Sequence, residues 1–171
     1  SSVLGFDTGP GNGLMDQWYL KHQGGNYDPN GQWAAQGTVI PDLLEVLLQD
    51  EYFQRPPPKS TGREAFNLVW LNQLYPDLKR WPAQDVQASL LELTARTIID
   101  ACKQQQCNQL YVCGGGAQNT HLMQRLQTLL PDGKVSITSE LGLDPNWVEA
   151  VLFAWLAWRY QHQTASNLPS I

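Results

Sequence analysis

Gln109-Leu110-Tyr111-Val112-Cys113-Gly114-Gly115-Gly116 is the stretch on which the fold turns. A short apolar run closed by three glycines reads as a buried strand entering a tight turn. Downstream, Asn119 to Leu130 sets Leu122, Met123, Leu126 and Leu129 at helical spacing, and Pro131-Asp132-Gly133 leads into a second strand, Lys134 to Thr138. Strand, helix and strand in that order predict a parallel α/β unit. A last helix is predicted from Asp144 as N-cap, with Pro145 in its first turn and Val148, Val151, Leu152, Trp155 and Trp158 along it. Trp147, Trp155 and Trp158 are expected in the core rather than as a sugar platform.

Upstream, the longest helix should run from about Pro82 to Lys103, where Val86, Leu90, Leu93, Thr97, Ile98 and Ala101 recur at steps of three and four. Phe66, Val69, Trp70, Leu71 and Leu74 predict another helix, and Val39 to Gln49 a short amphipathic one. Pro56-Pro57-Pro58 reads as extended chain leading into Lys59-Ser60-Thr61-Gly62-Arg63. Gly24 to Gly31 is a cluster of turn formers. Val3-Leu4-Gly5-Phe6 reads as a strand running into Asp7-Thr8-Gly9-Pro10-Gly11-Asn12, with Asn12 capping a helix that carries Leu14, Met15, Trp18 and Tyr19. A chain that opens inside a strand is expected to be a piece of a longer protein.

At 171 residues, 42% hydrophobic and 16% charged, the chain has the profile of one folded domain. The net charge of −5, with no basic run, argues against nucleic-acid binding. Cys102, Cys107 and Cys113 lack metal or disulfide-framework spacing and are expected to be reduced thiols. No stretch approaches the roughly 18 apolar residues of a membrane span, and no leader pattern is visible. The expectation is a soluble cytoplasmic protein.

Ligands of open α/β sheets gather beyond the carboxyl ends of strands, where both glycine-rich turns fall. Gly114-Gly115-Gly116 is not a GxGxxG or P-loop pattern, so it reads either as a bare connection or as a turn that lets a ligand approach the backbone. Asp7 is either an Asx-turn residue or a general base facing a cleft. Glu149 is either a first-turn glutamate favoured by the helix dipole or a cleft residue. Lys59 and Arg63 fit a solvated loop or a phosphate or sugar-acid contact. His22, His121 and His162 show no ligand spacing. Pattern alone stops at an α/β domain with two ligand-suitable turns.

Leu4-Gly5-Phe6-Asp7-Thr8-Gly9-Pro10-Gly11-Asn12, followed by Asp16 and Trp18, resembles a signature of the anhydro-N-acetylmuramic acid kinases. Further blocks match in order: Tyr27-Asp28 through Trp33-Ala34-Ala35-Gln36-Gly37; Pro56 to Glu64 with Phe66-Asn67; Val112 to Ala117 with Asn119; and Glu149-Ala150 with Phe153 to Ala157. Asn167-Leu168-Pro169-Ser170 fits as well. The resemblance implies an actin-like ATPase (ribonuclease H-like) fold with a mixed sheet flanked by helices. Residues 1–171 would be the C-terminal lobe of a two-lobe sugar kinase, lacking the N-terminal lobe, its first phosphate loop and the opening strands of this lobe.

The activity so implied is ATP-dependent phosphorylation of 1,6-anhydro-N-acetylmuramic acid with hydrolytic opening of the anhydro ring, a step of peptidoglycan recycling. The alternative is a non-catalytic nucleotide- or sugar-binding module of the same superfamily. By resemblance Asp7 is the base that activates water; Thr8, Gly9, Asn12 and Glu149 contact the sugar; and Gly114, Gly115, Gly116 and Asn119 contact ATP, with Mg²⁺ accompanying it. Lys59, Ser60, Thr61 and Arg63 form a block with the lactyl carboxylate as one candidate contact. A homodimer is the family-level expectation, and the 1–171 piece alone is expected to be inactive.

Overall fold

The computed structural model describes residues 3–166. In chain order it contains helices α1 (Gly13–Gln23), α2 (Pro41–Leu48), α3 (Glu51–Gln54), α4 (Leu68–Leu74) and α5 (Ala83–Gln104), then strand β1 (Gln109–Val112), α6 (Thr120–Leu129), β2 (Lys134–Ile137) and α7 (Val148–Gln161). The result is a mostly helical α/β fold with a two-stranded sheet. β1 and β2 pair in parallel, Gln109 opposite Lys134 and Val112 opposite Ile137, with α6 as the crossover. This is the unit expected from the glycine-closed strand.

Helix α5 is the axis of the domain. α1, α2, α6 and the turn Ala34–Gln36 all pack on it, so Val86, Leu90, Leu91, Leu93 and Ile99 are buried together with Leu14, Leu43, Leu47, Leu122 and Leu126. Fully burying one such side chain stabilises the fold by about 1.5–3 kcal/mol. Because neighbours surround α5, its polar residues are buried too, and most of them tie loops to it. Ser89 Oγ accepts from Ile40 N at 2.9 Å, and Thr94 Oγ1 donates to Gly11 O at 2.8 Å. The second bond anchors the loop that follows Asp7. That loop also comes close at Gly9, where a β-carbon would stand 2.9 Å from Phe53 and 3.2 Å from Thr97.

Four expectations need correction. Val3 to Phe6 is not a strand: no strand of the described residues lies beside it, and the backbone is instead tied by Asp7 N donating to Lys59 O at 3.0 Å. The sheet is accordingly two parallel strands rather than mixed. The last helix begins at Val148 rather than near Asp144, whose carboxylate accepts from Asn146 N at 2.8 Å and holds a turn in front of the helix. Trp147, Trp155 and Trp158 are exposed, because no element of the described residues forms a layer over α7. The Asn167-Leu168-Pro169-Ser170 block lies outside the described residues.

Candidate active site

Asp7 sits at the mouth of a cavity of about 440 Å³. Its backbone is fixed on both sides, by the N–H bond to Lys59 O and by Tyr52 Oη donating to Asp7 O at 2.7 Å. Its carboxylate is aimed by one oxygen only. Oδ2 accepts from Ser60 Oγ and from Thr61 N, both at 2.9 Å. Oδ1 accepts no hydrogen bond from the described residues. The carboxylate is thus exposed and oriented, with one oxygen available to a ligand or a water.

The walls follow from the loop and from α1. Gly9, Gly11, Asn12 and Gly13 line the cavity at the helix N-terminus, and Arg63 enters from the opposite segment. A β-carbon on Gly13 would lie 3.7 Å from Arg63 Cγ, so the arginine lies along the first turn of α1. Its guanidinium has no ion-pair or hydrogen-bond partner among the described residues. Asp16, one turn further along α1, lines the same cavity. Burial pushes its carboxyl up to about 6, with Asp28 adding to the rise and Arg63 opposing it.

The triple-glycine turn closes the far side. Asn12 occupies the N-cap position of α1, yet its side chain makes no capping bond. It lies instead against the turn: a β-carbon on Gly115 would be 3.3 Å from Asn12 Nδ2, and one on Gly116 would be 3.6 Å from Asn12 Oδ1. Gly114 adopts φ +69°, a left-handed conformation that favours glycine. A second cavity of about 190 Å³ opens beside Gly115, with Asn12 and Asp16 shared between the two.

A family model of anhydro-N-acetylmuramic acid kinase matches residues 1–171. The chain belongs to this family. It is 54% identical over 171 residues to the anhydro-N-acetylmuramic acid kinase of Pseudomonas fluorescens (strain Pf0-1), covering 99% of this chain and 47% of that protein. The kinase of the same name from Shewanella frigidimarina (strain NCIMB 400) is 51% identical over 170 residues, with 99% and 46% covered. That from Thiobacillus denitrificans (strain ATCC 25259 / T1) is 50% identical over 172 residues, again with 99% and 46% covered. The chain therefore spans about half the length of the curated relatives it matches.

Within this anhydro-N-acetylmuramic acid kinase family member, several sequence-expected residues converge. Asp7, Gly9, Asn12 and Gly115 line one cavity, joined by Thr61 and Arg63. Asn119 lines the smaller cavity beside Gly115; its Oδ1 accepts from Leu122 N at 2.9 Å and caps α6. Gly114 and Gly116 shape the turn without lining either cavity. Thr8 faces a different cavity, of about 370 Å³, together with Lys59. Glu149 is exposed in the first turn of α7 and does not line the Asp7 cavity.

The Lys59 to Arg63 block divides by geometry. Lys59 Nζ donates to Tyr52 O at 3.1 Å and lies 4.8 Å from the Tyr52 ring, so it closes the end of α3. Burial, with Arg55 nearby, lowers its pKa. Ser60 and Thr61 orient Asp7, and Arg63 faces the cavity. Sequence reasoning assigned no role to Asp16 or Gln87. Asp16 was within reach of it: residues 12 and 16 are one turn apart and share a helix face.

Proposed function

We infer that the full-length protein phosphorylates 1,6-anhydro-N-acetylmuramic acid with ATP and opens its anhydro ring, and that residues 1–171 form the C-terminal lobe of an actin-like, ribonuclease H-like two-lobed kinase. The curated relatives carry the name of this activity and are about twice as long. The exposed apolar residues of α7, and Val3 and Leu4, offer surface that a further layer would cover.

The observation that carries the reading is the Asp7 carboxylate, held through Oδ2 by Ser60 and Thr61 with Oδ1 available, in a cavity whose far wall is Gly115. In the anhydro sugar O6 is tied to C1, so no free 6-hydroxyl is present to be deprotonated. Water must instead attack C1. Its proton passes to Asp7 Oδ1, the C1–O6 bond breaks, and O6 takes the γ-phosphoryl group while ADP leaves. The product is N-acetylmuramic acid 6-phosphate.

The N-terminus of α1, where Gly11, Asn12 and Gly13 line the cavity, suits phosphate oxygens through the positive end of the helix dipole, Gly13 N itself being engaged by Pro10 O at 3.1 Å. Arg63 adds a charge for a phosphate or for the lactyl carboxylate. ATP lies against the Gly114–Gly116 turn and Asn119, and the sugar against Gly9 and Asn12; Thr8, which faces another cavity, and Glu149, exposed on α7, have no place in the Asp7 cavity of this lobe. The described residues hold no cluster of three or more His, Cys, Asp or Glu side chains able to build a metal site. Mg²⁺ belongs in this reading as an ion carried by the ATP phosphates.

The test is Asp7→Asn in the full-length protein. Turnover should fall about 10²–10⁴-fold while ATP affinity, read by calorimetry, stays within a small factor. Unchanged turnover with an intact fold removes Asp7 as the base.

A further inference from the structure

Two cysteines meet where helix α5 ends. Gln106 takes φ +55°, in the left-handed region, and its N–H donates to Lys103 O at 3.0 Å. Cys107 N donates in turn to Cys102 O at 2.8 Å. These two bonds around a left-handed residue make a Schellman ending, in which the side chains at the positions of Cys102 and Cys107 commonly pack together. That contact is usually apolar. Here both positions carry thiols.

Both thiols are free in this structure. Cys107 is exposed, and its Sγ donates to Gln105 O at 3.8 Å, so it lies back over the helix end. Cys102 is half-buried in the last turn of α5; burial first, then the neighbouring Cys107, pushes its thiol up. A disulfide requires Cα atoms about 4.4–6.8 Å apart, a span that a direct backbone hydrogen bond between the two residues fits. Cys113 cannot stand in for either, because the four residues of β1 carry it roughly 13 Å further along.

We propose that Cys102 and Cys107 form a reversible modification site, oxidised to a disulfide by a low-molecular-weight disulfide of the glutathione class. The exposed Cys107 reacts first. As a thiolate it attacks one sulfur of the small disulfide, forms a mixed disulfide and releases one small thiolate. Cys102 then gives its proton to solvent, attacks the Cys107 sulfur and expels the second small thiolate. The two protein thiols lose two electrons, which reduce the small disulfide, and their two protons reach the released thiolates through solvent. Excess small thiol runs the steps backward. The bridge ties the end of α5 to the segment entering β1. Gly114 lies beyond the opposite end of that strand, so the Asp7 cavity and its neighbour are left untouched.

The test is oxidation of the folded full-length protein in graded ratios of oxidised to reduced glutathione. Remaining thiols are then alkylated, and tryptic peptides are read by mass spectrometry. Trypsin cuts after Arg96, Lys103 and Arg125, so a Cys102–Cys107 bridge holds peptides 97–103 and 104–125 together. That linked pair, two hydrogens lighter than the reduced peptides, is the expected product. It should persist in Cys113→Ser, whose altered residue shares the second peptide, and vanish in Cys107→Ser. In Cys102→Ser the mixed disulfide should accumulate on Cys107. Oxidation in urea controls for closeness in sequence alone: the unfolded chain should need about tenfold more oxidised glutathione for half-oxidation. The site is overturned if the folded wild type keeps two thiols or stops at the mixed disulfide. It is equally overturned if the link survives in Cys107→Ser, or if urea leaves the half-oxidation ratio unchanged.

Discussion

Helix α5 buries Gln87, Ser89, Glu92 and Thr94, whereas α7, which carries Val151, Leu152, Phe153, Trp155 and Trp158, buries no residue. Composition alone would reverse that outcome. What differs is the surroundings: α5 has α1, α2, α6 and the Ala34–Gln36 turn packed around it, while among the described residues the Arg159 side chain of α7 meets the Trp155 ring of its own helix and the backbone oxygen of Ala165 just beyond it. Burial is therefore a property of the neighbours and not of the hydropathy of a segment. Ser89, Thr94 and Glu92 inside α5 are tolerated because loops and arginines satisfy them, while Gln87 Oε1 has no partner among the described residues. Apolar groups on α7 gain nothing where no layer meets them.

The largest expected effect tests that contrast directly. Leu90→Ala removes a side chain that is 1% exposed at the centre of α5 and should cost about 2–5 kcal/mol through lost burial and the cavity left behind. Leu152→Ala on α7, at 48% exposure, should change the stability of this chain by less than about 0.5 kcal/mol. Urea unfolding of both variants decides the matter, and comparable losses would mean that α7 packs in solution.

A middle effect concerns the charge inside α5. Glu92 is 2% exposed, and its carboxylate takes Arg96 Nε at 2.7 Å and Arg125 Nε at 2.5 Å, so one acidic side chain joins α5 to α6. Burial alone would raise its pKa, but hydrogen bonds from Arg125 and Arg96 prevail and hold it below the usual carboxylate range. Both arginines are partly exposed, so Glu92→Gln should cost about 2–3 kcal/mol, less than breaking a fully buried pair. A depressed carboxyl contributes stability above its unfolded pKa and loses it as pH falls through the folded one. The gap between wild type and Glu92→Gln should accordingly narrow in acid, and a gap that widens below pH 4 would contradict the assignment.

How much of this was legible follows from the range of the forces involved. β1, α5 and α6 declared themselves because periodicity and a glycine-rich turn are local signals. Asp7 stood out through its block, and the structure adds the means by which it is aimed, Ser60 and Thr61, more than fifty residues away in sequence. Val3 to Phe6 and the α7 tryptophans misled for one shared reason: a strand needs a paired neighbour, and an apolar face needs a surface to meet. Gln87 was hidden because an unserved amide can be recognised only once α1, the Tyr27–Asn30 turn and Gly115 have enclosed it.

The smallest effect concerns Asp16, on the border between the two cavities. Its carboxyl titrates near 6 in the folded chain against 3.8 for the free group, with burial as the main cause. The folded state therefore binds its proton more tightly than the unfolded state. Stability from this group is fully present below about pH 4, declines as pH rises toward 6, and is flat above that. Asp16→Asn removes the ionisable group, so the variant should match wild type in acid, apart from a constant offset, and gain on it by about 1 kcal/mol at pH 7.5. That figure is well below the full shift because a half-exposed carboxylate is screened by solvent. Denaturant midpoints at pH 4, 5, 6 and 7.5 give the curve, and a difference independent of pH would show that the carboxyl is hydrated as it is in the unfolded chain. A ligand cation or N–H donor that favours the ionised form should pull the titration back toward 4, so repeating the series with ADP present reports whether the nucleotide reaches Asp16.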